Sequence, residues 1–451
     1  MSNVCPLDFR YGRDVIKDIF SEKGRLRYQL QVEAALARAH ASLDAIPNKA
    51  AEEISAKASL EYVDVGRVRE IEREIHHDVM AMVKALAEQC EGNAGNYVHL
   101  GATSYDIVDS ANALQMRAAL DVIHKGLQEL QRTLMELADR YRDTVMLGRT
   151  HGQSALPVTF GLKMAVYAAE TSRHVRRIAD VRREIAVGKM AGAVGTGAGF
   201  GDHFFELQNR VMEELGLEAE LPATQIVGRD RYIRLLSGLA NVAASLEKYA
   251  TEIRNLQRTE IGEAAESFGS RQVGSSTMPH KKNPIACEQI CGLARMVRAQ
   301  LLPAWENAVQ WHERDLCNSS SERFILPHAL ALTDWILYRM NQVFANLDVH
   351  PERMTENLER SQGLPLAESV MLRLVDHGMG RQEAHELLRQ CSLEALETGR
   401  HLREVLMETS EVCQRLGTDG IGEALDAAAY IGAAPEIVQK TLDRLSEEFE
   451  E

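Results

Sequence analysis

Met116-Arg-Ala-Ala-Leu120-Asp-Val-Ile123-His-Lys-Gly-Leu127-Gln-Glu-Leu130-Gln-Arg-Thr-Leu134-Met-Glu-Leu137 is the stretch that decides the fold. Its apolar residues step alternately by four and three, the spacing that lines one face of an α-helix and forms the seam between helices packed at shallow angles. Leu235, Leu239, Val242, Leu246, Tyr249, Ile253 and Leu256 repeat the pattern. Helices near 30 residues are rods of about 45 Å at 1.5 Å per residue. A rod of that length needs apolar partners along its whole extent, so the expectation is an all-α protein built on a long-helix bundle, formed within one chain or, more economically, completed by other subunits.

The remainder of the chain agrees. No convincing alternating strand is visible, proline is scarce at 11 of 451 residues, and aromatic residues make up 5%. Gly92-Asn-Ala-Gly-Asn96 interrupts the helical period, and Val349-His-Pro351 marks an exit from the bundle. Three segments are therefore expected: an N-terminal helical domain over 1–100, the central bundle over 101–348 and a small C-terminal helical domain over 349–451. Short helical patterns in the last of these surround Gly378, Gly399 and Gly420.

Composition excludes several classes of function. With 45% hydrophobic and 26% charged residues the chain is globular. A net charge of −15 argues against a nucleic-acid surface, which needs excess Lys and Arg, but permits a small anionic ligand held by a local cluster of cations. No run approaches the roughly 18 apolar residues of a membrane span. Seven scattered cysteines suggest reduced thiols and a cytoplasmic protein. Cys287 and Cys291, one helical turn apart, have no matching Cys/His pair nearby and read as ordinary helix residues, so no metal site is expected.

The polar segment Ser267-Phe-Gly-Ser-Arg-Gln-Val-Gly-Ser275-Ser276-Thr-Met-Pro-His-Lys281-Lys282-Asn283-Pro284 carries hydroxyls, cations and an amide on a glycine-rich backbone whose free N–H groups suit an anion. Pro284 then favours a helix start. The order Gly-Ser-Ser-x-Met-Pro-x-Lys-x-Asn-Pro resembles the signature of the fumarase/aspartase superfamily at every position. Within that superfamily, Arg149-Thr150-His151-Gly-Gln, Glu74-Ile-His76-His77-Asp78 and Trp311-His-Glu-Arg314-Asp-Leu-Cys317-Asn318-Ser319-Ser-Ser-Glu-Arg323 are most similar to the adenylosuccinate lyase family. The likeness runs from about residue 8 to beyond residue 380. It departs from the family at Cys317-Asn318, where Ser-His is usual, and at Gly228, where glutamine is.

The resemblance implies a C–N lyase that releases fumarate from a succinylated nucleotide by β-elimination, without metal or other cofactor. It makes Ser275 the base, a role that requires nearby N–H donors and cations to stabilise the alkoxide. Lys281 and Asn283 would stabilise the aci-carboxylate intermediate. His151 would be the general acid, oriented by Glu288, and His77 a further catalytic histidine; imidazole suits proton transfer near neutral pH. Substrate contacts carried over are Arg10, Tyr11, His76, Asp78, Thr103, Ser104, Thr150, Gln225, Ser276, Lys282, Asn283, Arg314, Ser319 and Arg323, with Arg314, Ser319 and Arg323 on a 5′-phosphate. His76 and His77 read as neighbours on one helix, about 100° apart, so that one points away. The resemblance also implies a homotetramer in which each site draws motifs from three subunits. The rivals are other fumarate-releasing enzymes such as argininosuccinate lyases, carboxymuconate cycloisomerases, and a silent structural protein on the same fold.

Overall fold

The computed structural model describes residues 4–269, 274, 277–278 and 280–450. It bears out the all-α expectation. The first heptad lies within a 37-residue helix, Ser104–Arg140, and the second within Asp230–Leu256. Every residue of the two seams is buried, from Met116 to Leu137 and from Leu235 to Leu256. Burying one such side chain is worth roughly 1.5–3 kcal/mol, so the seams contribute a large share of the driving force for the bundle. Phe160–Ile185 and Cys317–Ala345 are the other long helices.

The chain divides into two compact units. The first contains the residues up to Leu127, His174–Glu247 and Gln289–Arg339. Its core joins Leu30, Leu36, Ile54, Met82 and Leu86 of the N-terminal helices to Ile107, Leu114, Val211 and Met212. A wholly buried ion pair, Lys189 to Asp106, ties the start of the Ser104–Arg140 helix to the glycine-rich strip after Val187. Asp106 accepts from the backbone N–H groups of Ala191 (3.0 Å), Gly192 (3.1 Å) and Thr103 (2.8 Å), so the carboxylate has a full set of donors and its burial is compensated. Arg229, also buried, is clamped between Asp109 and Glu322. Burial opposes its charge, but Asp109, Tyr232 and Glu322 outweigh it and push the guanidinium further up. Burial dominates at Glu322 and raises its carboxyl against the pull of Arg229.

The second unit contains Gln128–Arg173, Lys248–Glu288 and the residues from Met340 onward. Here Phe160–Ile185 and Asp230–Leu256 run antiparallel, joined by Lys163 to Glu252 (2.7 Å) and by the stacked rings of Tyr167 and Tyr249, 4.4 Å apart. The C-terminal helices gather a separate core of Val370, Leu374, Leu388, Leu402, Leu406, Val412 and Ile421.

One correction to the sequence reading lies in this unit. Val145–Thr150 and Gln153–Thr159 form an antiparallel hairpin where no strand was expected. The pairing shifts register between Leu147 and Arg149, and Pro157 lies within the second strand, so the apolar alternation that reveals a strand is broken. Two further pairs of two-residue strands, Val187–Gly188 with Glu218–Ala219 and Ala264–Ala265 with Asp348–Val349, are too short to leave a pattern.

Candidate active site

A cavity of about 820 Å³ opens within the first unit. Its wall brings together His76, His77, Asp78, Ser104, Arg314, Ser319 and Arg323, predicted from three separate motifs.

The two histidines enter by a break in the chain. The Val65–Ile75 helix ends at His76, whose φ of 55° lies in the left-handed region, and the Asp78–Ala87 helix begins directly after His77. They do not share a helix, and both line the cavity. His77 is the N-cap: its Nδ1 accepts from the Met80 N–H at 3.2 Å. A backbone N–H only donates, so Nδ1 presents a lone pair and Nε2 carries the ring proton. Asp78 caps the same helix through Val79 N–H (2.8 Å) and receives both Arg25 (2.9 Å) and Arg323. Burial works against its charge, but the Arg323 hydrogen bond and the two guanidinium charges hold the carboxyl below its ordinary value. Burial and the Arg323 charge in turn lower Arg25. Arg25 is absent from the sequence reading, since a lone arginine outside any motif carries no signal in sequence.

The opposite wall follows from the 311–323 run. Asp315 accepts from the backbone N–H groups of Trp311 (2.9 Å) and Cys317 (2.8 Å), which closes the loop and starts the Cys317–Ala345 helix. Ser319, Glu322 and Arg323 then lie on its first turns. The departure at Cys317-Asn318 resolves into two different environments. Cys317 is exposed, while Asn318 is buried and donates to Glu322 (2.9 Å), joining the Arg229 network behind the wall. The Arg314 guanidinium carbon lies over the Tyr105 ring, 3.4 Å from its centroid, and the side chain donates to Gln225 (2.8 Å). Gln225 in turn donates to the Ala193 carbonyl at 3.0 Å. A Cβ on Gly195 would meet the Ala223 carbonyl at 1.8 Å, so glycine is what lets the two loops come this close. Burial raises the Tyr105 phenol, with Ser319 and Arg314 pulling the other way.

Other predicted residues stand elsewhere. Thr103 precedes the Ser104–Arg140 helix, donating its N–H to Asp106, and does not line the cavity. Nor do Arg10 and Tyr11, whose segment is tied to the Cys317–Ala345 helix by Arg13 to Asp334 (2.9 Å) and by Cys5 to His328 (3.4 Å).

Thr150, His151, Lys281, Lys282, Asn283 and Glu288 belong to the second unit. His151 and Gly152 are the two-residue tip of the hairpin, with φ of 54° and 74°. Two successive positive φ angles match the twist of a tight hairpin. His151 is exposed there, and among the described residues its ring makes no hydrogen bond and does not pair with Glu288. The strand below is held firmly: Arg149 grips Glu263, whose side chain is 0% exposed, by two hydrogen bonds of 2.8 and 2.7 Å, and Asn357 donates to the same carboxylate at 2.8 Å. Asn283 donates to the Gly274 carbonyl (2.7 Å). Glu266 accepts from Ala286 N–H (3.1 Å) and Cys287 N–H (2.6 Å), capping the Ile285–Ala299 helix on which Glu288 is exposed. Ser275 and Ser276 lie outside the described residues.

A lyase family model matches residues 8–299, and a model of the adenylosuccinate lyase C-terminus matches residues 363–441. An adenylosuccinate lyase of Pyrococcus abyssi is 50% identical over 98% of both chains. The chain belongs to the adenylosuccinate lyase family. This places it among the C–N lyases of the fumarase/aspartase superfamily. A relative of the same name from Thermotoga maritima is 37% identical over 98% of this chain and 99% of its own. A crystal structure of 3-carboxy-cis,cis-muconate lactonizing enzyme from Pseudomonas putida superposes with a TM-score of 0.91 at 34% identity, covering 98% and 99% of the two chains. The fold is thus shared with a lactonizing enzyme, and fold alone does not select the reaction. Membership in the adenylosuccinate lyase family rests on the relatives and on the C-terminal match. Among the described residues no helix is long and apolar enough to cross a membrane.

Proposed function

We propose that this chain cleaves adenylosuccinate to AMP and fumarate, and also releases fumarate from succinylaminoimidazole carboxamide ribotide. The observation that carries the reading is the cavity wall, where Arg314, Ser319, Arg323, Ser104 and the His76–Asp78 segment converge from distant parts of the chain. Arginine forks and hydroxyls are what a phosphate or carboxylate requires. The elimination runs anti. Ser275 takes the proton beside a carboxylate, Lys281 and Asn283 stabilise the aci-carboxylate, and His151 protonates the leaving nitrogen. Glu288 orients His151, and His77 presents Nε2–H to the substrate. The remaining contacts are Arg10, Tyr11, His76, Asp78, Thr103, Thr150, Ser276 and Lys282, while Gln225, whose amide is bonded to Arg314 and to the Ala193 carbonyl, acts on the substrate through Arg314.

The protein works as a cytoplasmic homotetramer whose sites combine motifs from three subunits, with segments 1–100, 101–348 and 349–451 as its three domains. Seven scattered cysteines suit a reducing compartment. The exposed His151, whose ring makes no hydrogen bond among the described residues, suits a shared site.

The test follows fumarate and AMP together from adenylosuccinate, with wild type and Ser275→Ala. Equal release of both products, lost in the variant, is expected. Absence of turnover by assembled wild-type protein would sink the substrate, and full activity in the variant would sink the base. Mixing inactive Ser275→Ala with inactive His151→Ala under subunit exchange should restore activity; no recovery would rule out shared sites.

A further inference from the structure

Arg314 is held on two sides by groups whose part in the reaction differs from that of a substrate contact. Its guanidinium lies on the Tyr105 face, 3.4 Å from the centroid, and Tyr105 is itself only 7% exposed. Its Nη1 donates to Gln225 Oε1 at 2.8 Å. The other end of that amide donates to Ala193 O, and the Gln225 backbone N–H donates to Glu313 O at 3.3 Å, so the amide is committed within the chain. The Arg314 Nε and Nη2 atoms are left buried and without an acceptor among the described residues. On a planar guanidinium these two nitrogens direct parallel N–H bonds from one edge, spaced for two oxygens of a single oxyanion. Arg314 lines the cavity beside Ser319 and Arg323.

We propose that Tyr105 and Gln225 are positioning residues: the ring fixes the plane of the Arg314 guanidinium, the amide fixes its rotation, and together they turn the Nε–Nη2 edge to the substrate's phosphate. The inference rests on the reading that Arg314 meets that phosphate. Tyr105, itself on the cavity wall, thereby governs discrimination between phosphorylated and unphosphorylated nucleosides through Arg314. The same edge could equally fit a carboxylate, so the experiment separates the two anions.

The measurement is competitive inhibition of the assembled enzyme by AMP, adenosine and fumarate, in wild type, Tyr105→Phe, Tyr105→Leu, Gln225→Leu and Arg314→Gln. Tyr105→Leu should lower the preference for AMP over adenosine by roughly five- to thirtyfold, the range expected for losing a desolvated cation–π contact. Adenosine inhibition should stay unchanged. Tyr105→Phe keeps the ring and should retain most of the preference, which also separates positioning from a general loss of folding. Gln225→Leu should lower the preference in the same direction. Equal weakening of AMP and adenosine in Tyr105→Leu would reduce Tyr105 to a packing residue and overturn the inference. A preference lost in Arg314→Gln but intact in Tyr105→Leu and Gln225→Leu would overturn it while leaving the phosphate reading in place. A preference intact in Arg314→Gln would remove the phosphate reading and the inference together; fumarate inhibition lost there instead would assign the edge to a carboxylate.

Discussion

The cavity wall of the first unit and the His151 hairpin of the second present their candidate residues in opposite ways. In the wall the side chains hold one another. Asp78 takes two arginines, Arg314 is gripped by Tyr105 and Gln225, and Arg229 anchors Glu322 behind them. In the hairpin the backbone is held: Arg149, Glu263 and Asn357 lock the strand, while the His151 ring is exposed at the tip and makes no hydrogen bond among the described residues. The first arrangement suits binding, where donors must be aligned before the ligand arrives. The second fits the proton-transfer role proposed for His151.

The comparison is broken most easily at His151. His151→Asn, which tolerates the left-handed turn, should cut fumarate release about 10²–10⁴-fold, the usual worth of a general acid, with thermal unfolding unchanged. An unaltered rate would show that the hairpin carries no chemistry. Next comes the strand beneath it. Glu263→Ala leaves Arg149 without its buried carboxylate and should cost about 3 kcal/mol in denaturant unfolding, the lower end for a broken buried pair because Arg149 is partly exposed. A loss below about 0.5 kcal/mol, the scale of a surface change, would mean that the hairpin does not depend on this pair. In the wall, Arg323→Gln removes a charge-assisted contact and should raise KM about 10- to 100-fold with kcat less affected. Loss of kcat alone would move Arg323 from binding to chemistry.

The smallest effect is a pH dependence. Burial lowers the His99 pKa, but the Glu33 partner at 2.6 Å outweighs it and raises the imidazole above its ordinary value. A raised folded-state pKa gives stability that is fully present below about pH 6.5 and lost as pH rises through the folded-state value. His99→Gln should therefore lower Tm more at pH 6 than at pH 9. An equal drop at both would place the residue's contribution in packing.

The sequence made some of this legible and hid the rest for definite reasons. The seam residues from Met116 to Leu137 declare themselves because one helical period repeats for many turns. The motif at 311–323 was legible as chemistry, and its Arg314, Ser319 and Arg323 do meet at one cavity. The break between His76 and His77 was not, because neither glycine nor proline marks it and a histidine takes the left-handed conformation. Arg25, Tyr105 and Glu263 carry no local signal at all. Their roles come from partners 53, 209 and 114 residues away in sequence, at Asp78, Arg314 and Arg149.

Lys189, 0% exposed and paired with Asp106, has a practical consequence. An amine-reactive reagent reaches its ammonium only when the start of the Ser104–Arg140 helix parts from the glycine-rich strip. The labelling rate at this one lysine, read by mass spectrometry against the exposed Lys281 and Lys282, is a clock for the opening of that junction. If substrate binding slows the clock, the wall and the strip behind it breathe as one body.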